Sequence, residues 1–96
     1  MFANKAEFVV KSGKEDTFVQ LLQEQGKEGM PSGMTGYYIL RDLENPQRFW
    51  LLDIWENVED KDRNEATPEH KAFHSRRNEM LEKPAEAHHC DVVAQG

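Results

Sequence analysis

His70 and His74 stand four residues apart in a segment, Thr67 to Leu81, that otherwise has the spacing of a buried helix. Its inward stripe runs His70, Phe73, His74, Arg77, Met80 and Leu81, so imidazoles and a guanidinium sit where leucines are expected. Buried polar groups need partners. A ligand in a cleft between helix and sheet would supply them, and an imidazole there can act as a base. The competing reading is a helix end that leaves the core with its histidines half wet. The pair at i, i+4 can also present two nitrogens to one metal, with His88 and Cys90 completing the set if the last strand came near. No HExxH or Cys-x-x-Cys spacing accompanies it, and no metal site is expected.

Other polar residues are candidates for the same cleft. Asn4 shares a strand face with Ala6, Phe8 and Val10 and reaches a pocket rim. Asn64 lies just before Thr67, where it either satisfies backbone groups or faces a ligand. Tyr37 and Tyr38 point to opposite faces, and Tyr38 is taken as the hydroxyl offered to a substrate. Phe73, Arg77 and Trp55 complete the expected wall, with Trp55 lining either the pocket or a subunit contact. Nucleophile arrangements are absent: there is no G-x-S-x-G and no glycine-rich phosphate loop. Cys90 reads as a packed thiol.

The elements that must position these residues are legible in turn. Phe8, Val9 and Val10 centre a strand over about 5–11. Ser12-Gly13-Lys14-Glu15 matches a capping box opening a helix over about 14–28, with Phe18, Leu21 and Leu22 inward. Strands are predicted over Thr35 to Asp42 and Arg48 to Glu56, joined by a turn around Asn45-Pro46. A short acidic helix follows Asn57, over about 58–66. Thr67-Pro68 then starts a helix ending near Lys83-Pro84, and Glu86 to Ala94 is the last strand. The order β-α-β-β-α-α-β predicts an α+β fold, a ferredoxin-like split β-α-β with a four-stranded antiparallel sheet. The third strand is apolar on both faces, Phe49, Leu51 and Trp55 against Trp50, Leu52 and Ile54. An antiparallel strand with one wet face alternates with polar residues. A second copy covering the outer face, as a homodimer, explains the departure.

Composition narrows the partners. Ninety-six residues with a net charge of −6 make one small domain whose twelve basic residues are dispersed among eighteen acidic ones. Nothing resembles a basic stripe for nucleic acid, and no apolar run reaches the roughly 20 residues that span a bilayer. The start, MFANKAEFVV, lacks a secretory pattern, and the lone Cys90 excludes an internal disulfide, so a cytoplasmic location is expected.

From about Phe8 to Val93 the chain resembles the antibiotic biosynthesis monooxygenase family of dimeric α+β barrels. The likeness rests on Ser12 to Glu15, Gly36 to Asp42, Arg48-Phe49, Asp53 to Glu56 and Thr67 to Phe73. It implies a single such domain over 1–96 and a cofactor-independent monooxygenase that oxidises a small aromatic phenol, hydroquinone or enol with O2. His74 or His70 would take a proton, His74 foremost, while Asn64, Tyr38 or Asn4 orients the substrate oxygen. Quinol-oxidising members resemble Thr-Pro-His at the helix start, with a histidine three residues before the threonine; Glu69 and Asn64 occupy those positions here. Haem-degrading members are similar around an axial histidine that falls on His74. Their pocket tryptophan falls on Asn64, and their first-strand asparagine on Ala6. Haem binding and cleavage through His74 is thus the alternative chemistry. A non-catalytic small-molecule-binding or stress-response protein is the alternative without chemistry.

Overall fold

Alternation along three strands decides which side of the sheet meets the helices. In the computed structural model, which describes residues 1–96, strand β1 covers Phe2–Val9, β2 Met34–Arg41, β3 Arg48–Trp55 and β4 Glu86–Asp91. Their order is β2-β3-β1-β4, with antiparallel pairing throughout. Residues directly opposite share a face. The pairs Phe8–Phe49, Ala6–Leu51 and Asn4–Asp53 therefore line one inner surface, extended on β2 by Ile39 and Tyr37.

Helices α1 (Glu15–Lys27), α2 (Val58–Glu65) and α3 (Pro68–Glu79) complete the chain. Helix α1 lays Phe18, Leu21 and Leu22 on the inner surface, with the Phe18 ring 5.4 Å from Phe8 and 5.1 Å from Phe49. Burying each such side chain stabilises the fold by about 1.5–3 kcal/mol. Phe73 and Leu81 close this core from the other helical side. The core fills the end of the sheet where Phe8 meets Phe49. The opposite end, where Asn4 meets Asp53, is not filled. The fold is thus the α+β ferredoxin-like architecture expected from the element order.

Several local expectations are corrected. β1 begins at Phe2, earlier than predicted, because its first residues gain partners on both sides, in β3 and β4. The capping box does not form. A turn in which Lys14 N–H donates to Lys11 C=O, with Gly13 at φ 89°, puts Lys14 rather than Ser12 at the helix cap. Helix α3 stops at Glu79, and Val10 bridges Leu81, so the chain is drawn back to the sheet edge before Pro84. The outer sheet surface carries Trp50, Leu52 and Ile54, flanked by Leu40 and Tyr38. Within one chain nothing covers it: Leu40 is 47% and Tyr38 62% exposed. No helix is long and apolar enough to cross a membrane.

Candidate functional site

The unfilled end of the inner surface is a cavity of about 360 Å³, roofed by α2 and α3 and floored by the sheet. Leu22, Ile39, Leu51 and Phe73 make its apolar wall. That volume lies in the range of small-molecule sites, about 300–1,000 Å³.

Capping aims the roof. Thr67 Oγ1 accepts from the backbone N–H of His70 at 3.2 Å and donates to Asn64 C=O at 2.9 Å, locking the α2–α3 junction. The fixed start of α3 turns His70, Phe73, His74 and Arg77 toward the cavity, as the stripe predicts. The two imidazoles meet edge-on with centroids 4.2 Å apart. Asn64 Nδ2 donates to His70 Nδ1 at 3.4 Å, which leaves the proton of the neutral ring on Nε2. The Arg77 guanidinium lies 4.9 Å over the Phe8 ring. Burial holds His70 below the ordinary histidine range. Burial, then the positive Arg77 and the neighbouring His70, pushes His74 down from 6.5 to about 4. Burial therefore biases both rings towards the neutral imidazole, which keeps one N–H and offers one basic nitrogen.

The floor is more polar than its sequence neighbours suggest. Asp53, 5% exposed, projects from β3 among Phe49, Leu51 and Trp55. Its Oδ2 accepts from Trp55 Nε1 at 2.5 Å and its Oδ1 from Asn4 Nδ2 at 3.4 Å. Asn4 Oδ1 is buried with no partner. Lys61, 4% exposed, projects from α2 beside these groups, with its ammonium paired to Glu65. Burial raises the Asp53 carboxyl, against the bonds from Trp55 and Asn4 that favour its ionised form.

Of the residues singled out from sequence, His70, His74, Asn4, Asn64, Phe73, Arg77 and Trp55 all line the cavity. Trp55 is thus a pocket residue, 2% exposed. Tyr38 does not belong to the site. Ile39 packs on the core, so strand alternation turns Tyr37 inward and Tyr38 outward, and Tyr37 takes the place in the wall. Its hydroxyl lies against Gly26 of α1, where a Cβ would collide with it. His88 and Cys90 pair opposite Lys5 and Ala3 on the outer surface of β4, away from the roof histidines. Sequence reasoning missed Asp53, Lys61 and Glu65. A carboxylate in an apolar inward row was the available signal for the first.

A ferredoxin-like sheet with a polar-floored pocket under two helices defines a class of small α+β enzymes and binding proteins. Within it, the chain belongs to the antibiotic biosynthesis monooxygenase family, whose model matches residues 1–76. Solved structures share the fold. A conserved protein from Methanosarcina mazei Go1 superposes with a TM-score of 0.86 at 23% identity, covering 93% of this chain and 89% of that one. An antibiotic biosynthesis monooxygenase gives 0.86 at 19%, over 98% and 100%. Rv0793 from Mycobacterium tuberculosis gives 0.86 at 14%, over 98% and 96%. No curated protein matches the sequence.

Proposed function

We propose that the protein is a cofactor-independent monooxygenase that oxidises a small aromatic phenol, hydroquinone or enol with O2. One observation carries the reading: a half-apolar cavity of about 360 Å³ holds at its roof two imidazoles that burial biases towards the neutral, basic form. The ring of the substrate would lie on Leu51, Ile39 and Phe73, and its hydroxyl would face His74, with His70 as the edge-on neighbour of that imidazole. Removing the hydroxyl proton makes an electron-rich anion that reduces O2 directly, so the protein must supply a base, hydrogen-bond donors and a dry site. Asn64 and Arg77 share the cavity lining with the imidazoles as donors, and Leu22, Ile39, Leu51 and Phe73 offer the substrate ring an apolar wall.

Oxygen uptake against a panel of phenols, hydroquinones and enols tests this. His74→Ala is expected to lower turnover by about 10²–10⁴-fold with folding intact. Flat traces across the panel, with phenols still bound, would make the protein a binder instead. Haem fits these residues poorly. The His74 ring is already neighboured by His70 and Phe73, and the carboxyls of Asp53 on the floor and Glu65 on α2 line the same cavity.

We also infer a homodimer formed through the outer sheet surface. Trp50, Leu52, Ile54, Leu40 and Tyr38 form one contiguous apolar patch there, of a kind that rarely stays bare. A twofold copy would cover it with an identical patch.

A further inference from the structure

We propose that Asp53 is a second catalytic group of this pocket, whose carboxyl proton goes to the oxygen that leaves as water when the substrate hydroperoxide collapses. The inference deepens the monooxygenase reading and rests on it.

The geometry comes first. Asp53 is nearly sealed on the central strand β3, lines the cavity and has no ion pair. The buried cation that approaches it, Lys61, is bonded to Glu65 instead. Trp55 and Asn4 bond to it, Lys61 and Glu65 of α2 act on it through their charges, and Tyr37, His70, His74 and Arg77 are the other titratable or charged groups that line the same cavity from β2 and α3. A carboxylate enclosed without a cation is costly, and protonation relieves the cost. The cavity therefore separates a carboxyl biased to keep its proton from imidazoles biased to lack one. Titratable groups driven apart in this way mark an acid and a base.

The chemistry needs both. His74 takes the phenolic proton, a ring carbon of the anion attacks O2, and the imidazolium proton passes to the new peroxide. That carbon has lost two electrons and the O–O unit has gained two. In the next step His74 removes the hydrogen on the same carbon, and the C–H electron pair becomes the second bond of a C=O group. The O–O bond breaks, and the outer oxygen departs with the Asp53 proton as water. One oxygen atom stays in the quinone and the other leaves, a four-electron oxidation matched by four-electron reduction of O2. The imidazolium proton then returns to the Asp53 carboxylate.

The experiment uses the whole chain with 1-naphthol and other simple phenols, following oxygen uptake, quinone formation and peroxide. Asp53→Asn keeps an oxygen for the Trp55 N–H but holds no acid proton. It is expected to bind 1-naphthol as the parent does and to turn over about 10²–10⁴-fold more slowly. The parent's rate should fall on an alkaline limb as Asp53 ionises, and that limb should be absent from Asp53→Asn. Trp55→Phe, which removes a bond favouring the ionised carboxyl, should move the limb to higher pH; it also guards against misfolding of the first variant. Undiminished turnover by Asp53→Asn, or a limb unmoved in Trp55→Phe, overturns the role of Asp53 alone. Absence of uptake by the parent protein across the panel overturns the monooxygenase reading, and this inference with it.

Discussion

His74 and Asp53 respond to the same enclosure with opposite consequences for stability. The imidazole sits near 4 when folded against 6.5 when free. Between those values the unfolded chain binds a proton that the folded chain refuses, so stability falls as pH drops from about 6.5 towards 4. Asp53 holds its proton more firmly when folded, so its contribution is present below 3.8 and is lost as pH rises through the raised folded value. Urea unfolding over a pH series should show a flatter acid slope for His74→Gln. At pH 7 the same measurement should show a higher midpoint for Asp53→Asn, because a strained acid has been removed. An unchanged slope and midpoint would mean that neither group is held as described. The two residues were not equally legible. Histidines on a core stripe announce themselves, and a single carboxylate in the row Phe49, Leu51, Asp53, Trp55 is readable once the row is aligned. Lys61 was not, since an acidic helix predicts a solvated face and only its docking on the sheet encloses the ammonium.

At the level of elements, helix ends decide how well the roof is aimed. Thr67 joins α2 to α3 through two hydrogen bonds of one hydroxyl, one of them to the backbone of His70. Thr67→Ala should cost about 0.5–2 kcal/mol in chemical unfolding, with Thr67→Ser restoring most of it. A loss confined to stability, with substrate affinity intact, would show that the cap does not aim the histidines. The pattern Thr-Pro identified this cap in the sequence because cap and N1 proline are adjacent and local. The pattern Ser-x-x-Glu failed at α1, where a glycine turn moved the cap by two residues. Strand phase was similarly hidden for Tyr37 and Tyr38. Both faces of β2 are apolar enough to be inward, and the packing of Ile39 makes the choice.

For the whole molecule, the fold was the most legible feature, because element order and crossover handedness leave few topologies. The cavity was legible in part: imidazoles on the α3 stripe pointed to a cleft between helix and sheet, whereas its extent is set by packing beyond the core that no local pattern records. The outer surface carries the prediction at this scale. Sedimentation should find a dimer, and Leu52→Lys, which places a charge in the middle of the patch, should yield a folded monomer. A parent protein that sediments as a monomer would contradict the twofold arrangement.

The cavity's floor belongs to β3, hydrogen-bonded on both flanks, whereas its ceiling is two short helices joined at a capped junction. A rigid base with a replaceable lid divides the labour of change. Overhead positions other than His70 and His74 can therefore be exchanged to admit a new guest without disturbing the strand that carries Asp53.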